Sequence, residues 1–115
     1  MTIGDIKNLL SANMISGEEF EDKEVNTACG SDMMSDVLAF VKDQSVLLTG
    51  LVNPQVIRTA NMMDIVCIVL VRGKKPSDEM ITLANENEIA LLQTDLRMFT
   101  ACGLLWESGL RGENK

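Results

Sequence analysis

Ile65-Val66-Cys67-Ile68-Val69-Leu70-Val71 is the stretch that most restricts what this chain can fold into. It is an unbroken apolar run rich in β-branched side chains, and it falls far short of the roughly 20 residues needed to span a bilayer. A strand with one wet face would alternate polar and apolar residues. A continuous run instead describes a strand covered on both faces, as in the interior of a parallel sheet.

The same grammar occurs three times. Val46-Leu47-Leu48 ends in Thr49-Gly50 before Asn53-Pro54, Val66 to Val71 ends in Arg72-Gly73 before Pro76-Ser77, and Ile89 to Leu92 ends in Thr94-Asp95 before a last helical pattern. Each is a strand, a small polar turn and a helix signal. Such βα units cross over with right-handed connections. The predicted fold class is α/β: a three-layer α/β/α sandwich on a mostly parallel sheet of about four to five strands, in a single domain over residues 1–110 with a tail over 111–115.

Helix ends are readable in the same way. Thr2 is a good N-cap ahead of Ile3, Ile6, Leu9 and Leu10 at helical spacing. The acidic stretch 16–22 reads as a loop leading to a strand near Lys23–Cys29. Ser31 is expected to cap a helix that places Met33, Met34, Val37, Leu38 and Val41 on one face. Asn53 precedes Pro54 at a first helical position, where the missing proline N–H is harmless. Ser77, Asp78 and Glu79 put acidic groups at the positive end of the next helix, with Met80, Ile81, Leu83 and Ala84 inward. Asp95 is expected to open the last helix, which carries Met98, Phe99, Cys102, Leu105 and Trp106 and stops at Gly109.

Composition removes several functional classes. With 46% hydrophobic and 23% charged residues in 115, the chain can bury one core. A net charge of −7 repels nucleic acid and anionic membrane surfaces, so neither is an expected partner. There is no histidine, hence no general base of ordinary pKa near 7. Cys29, Cys67 and Cys102 form no CxxC pair and read as structural thiols of a reducing, cytoplasmic compartment. The first ten residues lack the basic start and apolar core of a secretory signal. Gly73-Lys74 is followed by Lys75 rather than Ser or Thr, so it is no phosphate loop. Asp32 and Asp36, four residues apart, are read as helix-dipole partners rather than metal ligands. No cofactor, no metal and no enzymatic activity are expected. The eight methionines are expected mainly in the core.

Ser31 to Ala39, Leu47-Leu48-Thr49-Gly50, Val69 to Ser77 and Thr94 to Ala101 together resemble the DRTGG domain family, most closely its short stand-alone bacterial members. The resemblance implies a fold similar to the N-terminal domain of HPr kinase/phosphorylase and a homodimeric regulatory module. In larger members such a domain sits beside CBS domains in a pyrophosphatase, in adenine-nucleotide regulation, or at the front of phosphotransacetylases. Val52-Asn53 stands where the family's Asp-Arg pair would fall, and Val71-Arg72-Gly73 where Thr-Gly-Gly would fall.

Ligands of open parallel sheets bind outside the carboxyl ends of the strands. The candidate ligand-binding residues are therefore Ser31, Thr49, Gly50, Asn53, Arg72, Gly73, Lys74, Lys75, Thr94 and Asp95. Arg72, Lys74 and Lys75 would meet the charge of a small phosphorylated ligand, with Thr49, Asn53 and Thr94 supplying hydrogen bonds. Helix N-termini at Asn53, Ser77 and Asp95 would add backbone N–H groups. The alternative is an adaptor that docks on a redox or signalling protein partner without a small-molecule ligand. Phe99 and Trp106 on the last helix mark an apolar face that a homodimer would bury.

Overall fold

The structure, a computed structural model, describes residues 1–40 and 43–112. In chain order the elements are α1 (Ile3–Leu9), β1 (Asn13–Ser16), a short 3-10 helix (Glu18–Phe20), β2 (Thr27–Gly30), α2 (Met34–Phe40), β3 (Ser45–Thr49), α3 (Pro54–Met62), β4 (Ile65–Leu70), α4 (Asp78–Glu86), β5 (Ala90–Gln93) and α5 (Met98–Glu107). The five strands form one sheet in the order β1-β5-β4-β3-β2. β2 through β5 are parallel, and β1 pairs antiparallel with β5 at the edge.

Three successive crossovers carry the chain across the sheet in one direction, so α2, α3 and α4 share a face. Val37, Val56, Ile57, Ala60, Met80 and Ala84 from these helices pack there on Leu47, Ile68, Leu70 and Leu91. The opposite layer holds Ile3, Ile6 and Leu10 with Ala101 and Leu105 on Val46, Leu48, Val69, Val71 and Leu92. All six β4 residues are buried, as the continuous run requires. One irregularity sits between Ser45 and Val46, where β4 slips by a residue and Cys67 pairs with Val46. Val66 and Cys67 consequently both face the α1/α5 layer.

The caps expected at Thr2, Asn53 and Ser77 are present. Thr2 and Asp5 form a reciprocal capping box, Asn53 accepts from the Gln55 N–H and Ser77 from the Met80 N–H. Elsewhere the structure corrects the expectations. β1 is an additional edge strand. The strand near Lys23–Cys29 occupies Thr27–Gly30, whose four residues pair in parallel with Ser45, Val46, Leu47 and Leu48. α2 begins at Met34, and the carbonyl of Met33, not of Ser31, accepts the first helical bonds from Asp36 and Val37. Of the face expected on α2, Val37 is buried and Met34 half-buried, Met33 and Leu38 are exposed, and Val41 lies outside the described residues. α2 covers the edge strand, where little sheet remains for a wide apolar face to bury. α5 starts at Met98 after Arg97, so Asp95 does not open it. Among the methionines Met80 is buried, Met34, Met63 and Met98 are half-buried, and Met62 at the end of α3 joins Met33 in solvent.

Candidate ligand-binding rim

Where β2, β3 and β4 end, one carboxylate ties three loops together. The Asp32 carboxylate accepts from the Gly50 backbone N–H at 2.7 Å and from the Thr49 hydroxyl at 3.0 Å. Its other oxygen lies 3.8 Å from the Arg72 guanidinium. The Gly50 N–H, with the Thr49 hydroxyl and the Arg72 charge, holds Asp32 below its ordinary value of 3.8 against the opposing effect of partial burial. Asp32 was expected to serve the helix dipole. It instead clamps the β3–α3 loop, because α2 starts two residues after it and leaves its side chain free to reach across β3. Nothing in its sequence position signals that role, which depends on the register of β2 against β3.

Arg72 is placed by unusual backbone. Both Arg72 and Gly73 have positive φ, at 60° and 69°, and the Lys74 N–H closes the turn on the Val71 carbonyl at 3.2 Å. These are the signs of a type I′ turn. Glycine suits this region, whereas an arginine there costs roughly 1–2 kcal/mol. The turn is pinned on both sides, since the Arg72 N–H donates to Leu96 at 2.7 Å and the Gly73 N–H to Thr94 at 2.9 Å. The side chain then crosses Gly50, where a Cβ would collide with the guanidinium. Arginine at a strained position, glycine beneath it and a carboxylate beside it form one constellation.

The loop after β5 completes the rim. α4 leaves β4 on one face of the sheet, and the chain leaving β5 passes to the other. α5 then packs under β2 and β3, with Met98 at its start close to Gly30: a Cβ on Gly30 would lie 3.2 Å from the Met98 sulfur. The ends of β4 and β5 are thus a point where connections diverge. The α5 N-terminus has no side-chain cap and no acidic residue in its first turn, leaving its positive end uncompensated. The other two helix starts differ. α3 begins with Pro54, and the N–H groups of Gln55 and Val56 both bond to Asn53. α4 carries Asp78 and Glu79 in its first turn. Neither is open to an anion as expected, and the open terminus is headed by Arg97.

The ten candidates divide accordingly. Gly50 and Arg72 are in contact, and Thr49 is bound to Asp32. Gly73 meets Asp95, whose carboxylate oxygen would stand 3.1 Å from a Cβ on Gly73. Ser31 bonds to the Met33 N–H at 3.0 Å. Lys74 and Lys75 are exposed, and among the described residues neither makes an ion pair. The three residues expected to supply hydrogen bonds to a ligand are engaged within the fold. Thr49 is buried and its hydroxyl serves Asp32 and the Leu51 N–H. The Asn53 side-chain oxygen is the α3 cap. Thr94 is buried and donates to the Leu10 carbonyl at 2.8 Å. In β5, Ala90 and Leu92 point to the α1/α5 layer, and extending that alternation by one step would have placed Thr94 inward too. Clefts of about 490 and 140 Å³ lie near the opposite ends of the strands, the larger beside Met1, Glu24 and Gly109. One of about 120 Å³ separates β2 from Leu105 and Trp106 of α5.

Residues 5–108 match the family model of the DRTGG domain. The chain belongs to the DRTGG domain family. Its fold is similar to that of the CBS and DRTGG domains of the regulatory region of Clostridium perfringens pyrophosphatase, in a structure complexed with the activator diadenosine tetraphosphate. The similarity has a TM-score of 0.73 and 23% identity over 93% of this chain. It covers 46% of the clostridial chain, so this DRTGG domain spans less than half the length of that structure. No curated protein matches the chain. The described part of the domain has no helix long and apolar enough to cross a membrane, and no group of three His, Cys, Asp or Glu residues placed to hold a metal ion.

Proposed function

We propose that this DRTGG domain is a non-catalytic regulatory module that binds a small anionic ligand, best an adenine nucleotide, on the rim where the parallel strands end. The observation that carries this reading is Arg72, held at positive φ over Gly50 with its guanidinium half exposed. A strained residue kept at a strand end is a functional signal when its neighbours fix it there. Asp32 positions the guanidinium from one side at a distance too long for a tight pair, so donors remain for a phosphate. Lys74, Lys75 and Arg97 add charge around it, against an acidic molecule. The clostridial regulatory region complexed with a dinucleotide activator supports adenine nucleotides as the class to test. Three free cysteines fit a cytoplasmic setting.

The test is calorimetric titration of the protein with adenine nucleotides, with a thermal melt in parallel. A ligand at 100 times its Kd adds about 2.7 kcal/mol of stability, and Arg72→Ala should remove that gain. Absence of binding across mono-, di- and triphosphates and diadenosine tetraphosphate would overturn the proposal.

A second reading rests on α5. Phe99 is 90% and Trp106 60% exposed; with Gly103 they lie at i, i+4 and i+7, and the Arg111 guanidinium stacks on the Trp106 ring, 3.9 Å from its centroid. This is the surface expected to meet a second copy of the chain, and analytical ultracentrifugation of Phe99→Ser against the parent chain tests it.

A further inference from the structure

Met33 and Val52 break local rules beside the rim. The Met33 carbonyl accepts the first hydrogen bonds of α2, from Asp36 at 3.1 Å and Val37 at 3.3 Å, which makes Met33 the N-cap residue. That position favours Ser, Thr, Asp or Asn, whose oxygen would satisfy a free N–H. A methionine satisfies none, and this one is 61% exposed. Val52 is a β-branched apolar residue 39% exposed in the short loop between Gly50 and the Asn53 cap. Both lie outside the buried residues of the two core clusters.

The loops that carry the two residues are joined by bonds already described. The Gly50 N–H to Asp32 bond joins the loop after β2 to the loop after β3, with Met33 next to Asp32 in sequence and Val52 two residues beyond Gly50. Ser31 fixes the Met33 backbone by accepting from its N–H. The loops after β2 and β3 thus each expose one apolar side chain, while Arg72 and Arg97 bring exposed positive charge to the end of β4 and the start of α5. Binding sites for small molecules are lined mainly by apolar groups with a few polar ones that fix orientation. Methionine suits the face of an aromatic ring, through adaptable packing and sulfur contacts.

Building on the regulatory reading above, we infer that Met33 and Val52 form a base subsite, so that a nucleotide lies across the rim with its purine over these residues and its phosphates toward Arg72. This division makes the domain selective for nucleotides over inorganic polyphosphate. It also explains a methionine at a helix N-cap as a local cost retained for binding.

The experiment titrates the full chain with ATP and with inorganic tripolyphosphate, in magnesium-free buffer, for the parent protein and for Met33→Ser and Val52→Thr. Serine is a better cap than methionine, so Met33→Ser should raise Tm by a few degrees and cannot lose binding merely by unfolding. The expected result is ATP binding at least about tenfold tighter than tripolyphosphate in the parent, with the preference largely lost in Met33→Ser, reduced in Val52→Thr, and tripolyphosphate affinity unchanged in both. Equal affinity of the parent for the two ligands overturns the base subsite and leaves the anion-binding reading standing. A preference that survives both substitutions also overturns it, by placing the base elsewhere. If the parent binds neither, the regulatory reading fails and the subsite with it.

Discussion

The guanidinium of Arg72 occupies the space that a side chain on Gly50 would need. Gly50 does not have positive φ, so its glycine is required by this close approach and not by its backbone conformation. Gly50→Ala should therefore fold, because the atoms it meets are the far end of a flexible side chain. We expect a stability change within about 0.5 kcal/mol and a loss of anion affinity of about tenfold, as the guanidinium is pushed from Asp32. Calorimetry for affinity and a denaturant melt for stability separate the two effects.

Replacements of Arg72 itself should order by backbone strain. Alanine keeps the penalty of positive φ and glycine does not, which favours Arg72→Gly over Arg72→Ala by about 1 kcal/mol. Both should abolish anion binding. Urea midpoints that rank alanine above glycine would show that the turn relaxes when the side chain is removed.

Asp32 gives the rim a pH signature. Its folded pKa lies below 3.8 because it accepts from the Gly50 N–H and Thr49 and sits beside Arg72. A depressed carboxyl contributes stability above its unfolded value, and loses it as pH falls through the folded value. The parent should thus exceed Asp32→Asn in Tm at neutral pH, and the difference should shrink as pH falls below 3.8. Asp5 is also depressed, by its bonds to Thr2, but it is common to both proteins and cancels. A difference that is flat from pH 7 to pH 2.5 would mean that the Asp32 charge does not stabilise the fold.

Much of the fold is legible because its central strands need two covered faces and say so in continuous apolar runs. The less legible parts are where short range and long range disagree. β1 has four residues, Asn13-Met14-Ile15-Ser16, and exists through its antiparallel partner β5. Among the described residues, α1, α3 and α4 are followed by non-glycine residues at positive φ, Ser11, Asp64 and Glu88, and α5 by the expected glycine, Gly109. At the rim, Arg72 and Gly50 stand out by residue type. Their relation to Asp32 is a tertiary fact, and Thr49 and Thr94 look like ligand contacts until strand alternation is carried to the last residue.

Cys67 tests the burial of β4. It is fully buried, and burial pushes its thiol far above the ordinary range; Cys29 and Cys102 are raised as well, chiefly by burial, but are half-buried. A thiol reagent at pH 8 should modify no more than the latter two in the native protein, with Cys67 reacting only on unfolding. Cys67→Ser should destabilise by about 1–3 kcal/mol, because the hydroxyl would enter an apolar layer.

Thr94 provides the test that separates structural from ligand-binding polar groups. Its hydroxyl donates to the Leu10 carbonyl at the end of α1 and accepts from the Leu96 N–H, tying α1 and the loop entering α5 to the end of β5. Thr94→Val keeps the shape and removes the hydroxyl, leaving a buried carbonyl without this partner, at a cost of about 1–3 kcal/mol. The loss should appear in the denaturant midpoint, with anion affinity within twofold of the parent at temperatures where both are folded. A large affinity loss with unchanged stability would return Thr94 to the rim; the expected pattern leaves the charge recognition to Arg72 and its neighbours.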